Sequence, residues 1–597
     1  MSESISNERL SKRNLWGYSM GGIGRDMAYQ LVNTYLLTFI TFTKGLSNTE
    51  FAMVGVIMVI CRIFDGCNDP FMGSLIEITR TKIGKFKPWI LAGVFTNVAV
   101  IIALFCVPLR GTSYLIFFAF GYLLWGMTYT MNDISYWGMM PSLTSNPGDR
   151  NNLTTLANIG AGIGAGLSVL AIPSLTQGNL AIASNASKSY AIVSIIVCIV
   201  FFVCQIMTVF VVKEKPLPKV RVDDGEKRSL KEMFRVIFKN DQLKPVMAAM
   251  LLYSIGSGIT MALASYWIYY RFAYQGLLVT LFTVISGIST VVIVFFPILC
   301  KKHSRRWISK LSMIMIIVGY LLMFIISLAT GADPKADKVG FNVGEVFIPV
   351  TFIFTGLSGA CAFFGQTLFY QVLTISVANT VEYNEYTTGT RDEGVIFACR
   401  PFTTKLGSAA VVGITTLVVL ALGLNPTNKA ISNADYEAGQ LAIQVEQLVK
   451  DETPNFDSLS KEEQTKLIEA KKKSIETENV AKIENIIHTN EDTKVAKWQY
   501  QTMFAFMTLL PLVILLGSFA IYFKKYNINE ERYDEICAEI AKRKLAAEGN
   551  AEVVLDGADV NELENDLASS DAETPDEIFE QETAADKISE APDEVEK

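Results

Sequence analysis

The feature that most constrains this chain is its succession of long apolar runs. Crossing roughly 30 Å of hydrocarbon takes about 20 apolar residues at 1.5 Å per residue. Twelve stretches of that kind are legible, near 15–43, 50–78, 88–108, 113–139, 152–174, 189–212, 246–272, 277–300, 307–330, 347–378, 395–424 and 500–523. Hydrophobic residues make up 50% of the chain and charged ones only 19%, too apolar for the cores and surfaces of ordinary soluble domains. The expected fold class is therefore an all-α membrane protein of twelve transmembrane helices. The polar loop near 213–244 divides the spans six and six, a layout of two helical bundles with a binding site between them near the midplane.

Charge fixes the expected orientation and sets aside other functions. The 52 Lys and Arg against 59 Asp and Glu leave −7, but residues 548–597 hold 18 acidic residues and two Lys, so the remainder carries +9. The acidity belongs to a tail and implies neither nucleic-acid binding nor an acidic enzyme. An even span count puts both termini on one side. Arg80, Lys82, Lys85 and Lys87, then Lys301, Lys302, Arg305 and Arg306, and ten Lys/Arg from Lys213 to Lys244 mark that side as cytoplasmic. The polar residues 1–14 lack a secretory signal's apolar core, so the first span is expected to act as its own insertion signal. Nine cysteines without paired spacing and two His argue against a disulfide scaffold or a zinc site.

The expected organisation is a six-helix bundle over 1–212, a cytoplasmic loop over 213–245, and spans 7 to 11 over 246–424. An extracytoplasmic helical insertion over 425–499, span 12 over 500–523 and a cytoplasmic, largely disordered acidic tail over 524–597 complete it. Leu441, Val445 and Leu448 recur at helical spacing in the insertion, and Ser460 to Glu463 reads as a capping box before a second helix. The tail contains no His, which excludes a His-phosphorylated regulatory domain.

Ionisable residues inside spans cost at least ~2.5–3.5 kcal/mol each, so those that persist pair with one another or line a water-filled path. They cluster here: Arg25 and Asp26 in span 1, Arg62, Asp65 and Asp69 in span 2, Asp133 in span 4, Arg400 and Lys405 in span 11. Asp65 and Asp69 are one helical turn apart, their side chains about 6 Å from each other, and Arg62 shares their face. Two carboxylates so close repel unless a positive charge lies between them. A bound monovalent cation supplies it, with Asn68 and Thr130 as further oxygen donors. The structural alternative has Arg62 neutralising one carboxylate and the other protonated; an Asp that titrates leaves proton coupling open as well. Trp137 lies one turn beyond Asp133, and an indole beside intramembrane carboxylates suits a sugar, although a Trp near that end also suits an interfacial belt. Tyr129 lies nearby. The aromatic run Tyr266, Trp267, Tyr269 and Tyr270 reads as belt anchors.

Three ordered motifs, RIFDGCNDPFMGSLIEITRTKIGKFKPWIL, GYLLWGMTYTMNDISYWGMMPSL and NTVEYNEYTTGTRDEGVIFACRPFTTKLGSA, resemble the glycoside-pentoside-hexuronide:cation symporter family. The resemblance implies a major facilitator superfamily fold in the plasma membrane and symport of a sugar or glycoside with Na⁺, Li⁺ or H⁺. It implies no other cofactor. By motif position it implies a cation site at Asp65, Asn68, Asp69 and Thr130, and a sugar site at Arg25, Asp26, Tyr129, Asp133 and Trp137 with Lys405 near the charged cluster. It further implies a loop at Arg391 and Glu393 that, with Arg62, helps hold the halves together. Asn158 stands where melibiose-type members carry an Arg, Tyr370 where they carry a Trp, and Asn379 where they carry an acidic residue. Loss of a guanidinium removes up to five donors, so a sugar other than melibiose is expected. Transport of a non-sugar amphiphile such as a lysolipid, or sugar sensing through the tail, are the competing functions. An enzyme is not expected, since no nucleophile-base pair or phosphate loop is visible.

Overall fold

The computed structural model describes residues 10–144, 146–214, 235, 238–289, 292–329, 339–343, 346–390 and 393–553. Each apolar stretch read from the sequence coincides with a helix. In chain order these are α1 (Lys12–Thr43), α2 (Asn48–Ile78), α3 (Lys87–Cys106), α4 (Gly111–Leu143), α5 (Pro147–Thr176), α6 (Ala186–Val211) and α7 (Leu243–Arg271). The eighth stretch holds α8 (Gly276–Ile288) and α9 (Val292–Lys302), with 290–291 outside the described residues, and α10 (Arg305–Ala329), α11 (Val350–Thr388), α12 (Glu393–Ala421) and, after the insertion, α16 (Lys497–Lys525) complete the set. Among the described residues nine helices are long and apolar enough to cross a membrane on their own account. α1 and α2 are as long, at 32 and 31 residues, but carry the charged residues of the site. The helices form two bundles, with α1–α6 in one and α7–α12 with α16 in the other.

Local chemistry sets several boundaries. Ser47 caps α2 and Glu50 reaches back to the Ser47 N–H at 2.8 Å, a reciprocal capping box. Asn146 accepts from the Gly148 and Asp149 N–H groups at the start of α5, and Pro147 occupies the first turn where its missing N–H costs nothing. The tenth span departs from the sequence limits. Residues 347–349 belong to a short antiparallel hairpin, β1 (Gly340–Val343) with β2 (Val346–Pro349), and the helix starts after Pro349 and runs to Thr388.

In the first bundle α1 packs on α5 and α6, α3 on α4 and α6, and α2 on α4; in the second α7 packs on α16 and α12, and α11 on α10. Small residues bring α1 and α5 together: a Cβ at Gly160 or Gly164 would collide with the backbone oxygens of Ser19 and Ile23. The bundles meet along α2 and α12 and along α5 and α8. Thr41 and Tyr266 join hydroxyls at 2.9 Å across this seam, and Ser174 and Thr280 at 2.8 Å. The run Tyr266, Trp267, Tyr269, Tyr270 is therefore not an interfacial belt; all four are buried, with Phe42 of α1 packed on the Tyr266, Tyr269 and Tyr270 rings.

The insertion contains more than two helices. α13 (Asn425–Ile443) begins three residues after α12 and is followed by α14 (Val445–Glu452), a 3-10 turn at Phe456–Ser458 and α15 (Lys461–His488). The Ser460–Glu463 capping box is present at the start of α15. The buried stripe differs from the expected one. Leu441 is 42% exposed, whereas Ala438, Val445 and Val449 pack with Phe456 and Ile475, because the break between α13 and α14 rotates the apolar face by a residue. After α16 a charged helix, α17 (Glu530–Val553), follows; the acidic residues 554–597 and most of the 213–245 loop lie outside the described residues.

Candidate functional site

The intramembrane charges assemble into one polar path running from α1 to α11. At its first end Arg25, almost wholly buried, donates to Asp26 through Nη2 at 2.6 Å and Nε at 3.0 Å, and pairs with Asp133 of α4 at 3.0 Å. Its guanidinium also lies 4.7 Å from the ring centroids of both Tyr136 and Trp137. A buried guanidinium between two carboxylates and two aromatic faces has its charge compensated on every side, which lets α1 and α4 carry ions through their middles. Tyr136 is fixed by reciprocal bonds with Tyr18, each hydroxyl donating to the other's backbone oxygen, at 2.7 and 2.8 Å. Trp137 is half-buried, edge-on to Tyr136 with centroids 5.5 Å apart. It is thus part of the charged cluster and not a free belt residue.

Tyr129 continues an aromatic ladder along α4, with Trp125 at 5.8 Å and Tyr29 of α1 at 5.2 Å between ring centroids. Next to it Thr130 turns toward α2 and donates to Asp65 at 2.6 Å. Asp65 and Asp69 are joined by a third partner. The Lys405 ammonium, reaching across from α12, donates to both Asp69 oxygens at 2.6 and 2.8 Å and pairs with Asp65 at 3.0 Å. The positive charge between the carboxylates is therefore Lys405, a residue of the opposite bundle. Arg62 plays no such part: it donates to Ser408 Oγ of α12 at 2.8 Å and to the Asn33 backbone oxygen of α1 at 3.3 Å. The alternative in which Arg62 neutralises Asp65 or Asp69 is corrected by this geometry. On the same face but one turn toward the helix N-terminus, its longer side chain reaches Ser408 at the seam with α12 and the Asn33 backbone oxygen of α1 instead.

Asn68 is buried with its amide nitrogen unpartnered. Beyond Lys405 the path continues through Arg400, which donates to the Tyr370 hydroxyl of α11 at 2.7 Å, and Tyr370 stacks on Tyr253 of α7 at 5.4 Å. Sequence reasoning placed Arg400 among the intramembrane charges and Tyr370 by motif, but missed their pairing and missed Tyr253, whose only signal was a Tyr in an apolar span. Asn158 is exposed on α5, and among the described residues no hydrogen bond or ion pair joins it to the Arg25 cluster. Asn379 is buried; with its amide turned to satisfy both ends it donates to the Ile375 backbone oxygen at 3.3 Å and accepts from Arg305. Glu393 is exposed at the start of α12, and Arg391 lies outside the described residues.

The arrangement brings a carboxylate pair bridged by an ammonium within one helix turn of an arginine–carboxylate–indole cluster. The pair can exchange one positive charge for another, and the cluster offers hydroxyl-binding groups beside an aromatic face.

A family model described as MFS/sugar transport protein matches residues 17–443. The raffinose carrier protein of Pediococcus pentosaceus is 26% identical over 437 residues, 71% of this chain and 64% of the relative. The lactose permease of Lactobacillus delbrueckii subsp. bulgaricus is 28% identical over 440 residues, 72% and 66% respectively. The isoprimeverose transporter of Lactiplantibacillus pentosus is 25% identical over 414 residues, 68% of this chain and 80% of the relative. The chain thus spans just under two thirds of the length of the first two. All three relatives are named as carriers, permeases or transporters rather than enzymes. With most of its helices inside the family match and the motif residues joined in one polar path, the chain belongs to the MFS/sugar transport protein family, as a glycoside-pentoside-hexuronide-type member of the major facilitator superfamily.

Proposed function

We propose that this protein is a secondary active transporter that moves a sugar or glycoside together with a monovalent cation, Na⁺ first and Li⁺ or H⁺ as the alternatives, by alternating access of its two bundles. The observation that supports the reading is Lys405 held between Asp65 and Asp69. A cation entering with Thr130 and Asn68 as added oxygen donors competes with the ammonium for the same two carboxylates. Once displaced, Lys405 no longer ties α12 to α2, so ion binding loosens the seam between bundles. Thr130 stands one turn from Asp133 on α4, so the same event is felt at the Arg25–Asp26–Asp133–Trp137 cluster, where the sugar binds. By linkage, sugar then tightens cation binding by the factor by which the cation tightens sugar binding. The basic loops on one side support cytoplasmic termini, and the plasma membrane is the placement the family resemblance implies.

The relatives suggest which sugars to test. Uptake of labelled raffinose, lactose and isoprimeverose is to be measured in vesicles holding the purified protein, with and without an inward Na⁺ gradient at fixed pH. Accumulation that follows Na⁺ and vanishes in Asp65→Asn is the expected result. Sugar affinity independent of Na⁺, Li⁺ and pH would sink the coupling mechanism.

A further inference from the structure

A basic pocket lies at the far end of the second bundle, away from the insertion and apart from the charged path. It holds about 300 Å³ where the first turn of α10, the last turn of α16 and the start of α17 converge. Three guanidinium groups, those of Arg305, Arg306 and Arg532, line it against one carboxylate, Glu530. That carboxylate is already committed, accepting from the Arg305 backbone N–H at 2.6 Å and from Arg305 Nε at 3.0 Å. Among the described residues no ion pair neutralises Arg306 or Arg532, so the lining keeps two uncompensated positive charges.

The local field disfavours these charges unless an anion joins them. α10 has no acidic residue in its first turn, so Arg306 stands at the positive end of the helix dipole, where a cation is repelled. Lys310 follows one turn later on the same face, and like charges at that spacing repel each other. Both are drawn over a single ring: the Arg306 guanidinium lies 5.4 Å and the Lys310 ammonium 5.6 Å from the centroid of Phe523, which lines the pocket from α16. A phosphate placed among Arg306, Lys310 and Arg532 would relieve this repulsion, because guanidinium forks match phosphate oxygens and the helix dipole favours an anion at the same end.

What adjoins the pocket selects a lipid over a soluble anion. From Arg306 and Lys310 the same face of α10 continues at i, i+4 spacing into Ile314 and Val318 and then Leu321 and Ile325, all four apolar and exposed. On a helix long and apolar enough to span, such a face meets acyl chains, and the change from ammonium to apolar side chains within one turn marks the level of the headgroups. Clusters of Lys and Arg at the ends of spans attract anionic lipids, and basic pockets between spans hold their headgroups. We propose that this pocket is a binding site for an anionic phospholipid, its phosphate held by Arg306 and Arg532 with Lys310 beside them and its acyl chains laid along Ile314, Val318 and Ile325. The site is separate from the Lys405 path and stands independently of the sugar-transport reading.

The test is hydrogen–deuterium exchange of the full-length protein in detergent micelles, titrated with phosphatidylglycerol, phosphatidylcholine or glycerol 3-phosphate. Phosphatidylglycerol should protect the backbone around Arg306 and around Arg532, and the other two at matched concentration should not. One cation beside a headgroup is worth about fivefold in affinity, so Arg306→Gln combined with Lys310→Gln should need about 25-fold more lipid for the same protection. Lys82→Gln combined with Arg150→Gln removes two charges from other loops on the same side and should leave the requirement unchanged. All four side chains are exposed, so neither pair of changes disturbs buried packing. Absence of protection by phosphatidylglycerol overturns the proposal, as does equal protection by phosphatidylcholine, which would mean that detergent exchange rather than charge is being read. Equal protection by glycerol 3-phosphate overturns the lipid assignment in favour of a soluble anion. An equal loss in both double variants overturns the site itself, since the lipid would then answer to the basic face as a whole.

Discussion

Two carboxylates one helical turn apart cannot both remain ionised in a partly dry site without a positive charge between them, and Lys405 supplies it at 2.6 to 3.0 Å. Removing the ammonium should therefore hurt most where no other cation is available. Lys405→Ala is expected to lose about 3 kcal/mol of stability in sodium-free buffer and to recover more of it on adding NaCl than the wild type does, read by thermal unfolding at matched ionic strength. Equal recovery with choline chloride would assign the effect to screening instead. The pair itself was plain in the sequence, because i, i+4 spacing fixes which residues share a helix face. Its partner was not, since Lys405 is 336 positions from Asp69 and helix periodicity carries no information across that separation. Arg62 misled for the same reason: sharing a face with acids says nothing about a neighbouring helix that offers a better acceptor.

At the scale of elements, most span limits were legible to within about five residues because hydrocarbon thickness sets the apolar length, but α11 runs to Thr388, ten residues past the expected end. What was not legible came from an interruption, the hairpin before α11. The contact between α1 and α5 gives a sharp test. Gly164→Val should abolish assembly, since its side chain would run into the Ile23 backbone, whereas Gly162→Ala, with nothing within 4 Å of the new Cβ, should be neutral or gain up to ~1 kcal/mol. Expression level and monodispersity in detergent distinguish them. A second test lies outside the membrane. Asp435 of α13 caps the start of α6, accepting from the Ala186 N–H at 2.6 Å and the Ser187 N–H at 3.1 Å. Burial pushes its carboxyl up from 3.8 to about 6, against the opposing pull of those two N–H groups, of Arg110 and of Asn479. The folded state therefore holds more protons than the unfolded chain between these values. The stabilising contribution is complete below 3.8 and is lost as pH rises through about 6. Asp435→Asn, which cannot ionise, should lack that part of the pH slope; an unchanged slope in thermal unfolding from pH 4 to 7 would exclude Asp435 as its source.

For the whole molecule, the insertion is fastened to both bundles. On the first bundle Arg110 donates to the Ser432 backbone oxygen at 3.0 Å and to Asn433 at 3.0 Å, and Asn425 donates to the Leu46 backbone oxygen at 3.1 Å. On the second, Tyr270 of α7 donates to Asn428 at 2.6 Å. A rocking motion that parts the bundles at this face must break one set of these bonds. Arg110→Ala should accordingly raise hydrogen exchange across Asn425–Ile443 several-fold, and unaltered exchange there would mean the fastening is carried elsewhere. The sequence identified this segment as helical and polar, but its anchoring depends on single side chains meeting loop carbonyls, which no periodicity encodes.

α12 carries Lys405 near its middle and, three residues past its end, passes into α13. α12 thus has the ion pair near its middle and leads, through a turn at the left-handed Gly423, into the fastened insertion. On the proposed cation coupling, any protein that grips the insertion, such as an antibody fragment raised against α13–α15, would act as a hand on a lever, shifting the affinity of the carboxylate pair for the proposed ion from a distance. Reciprocity requires that ion occupancy shift the grip by the same factor.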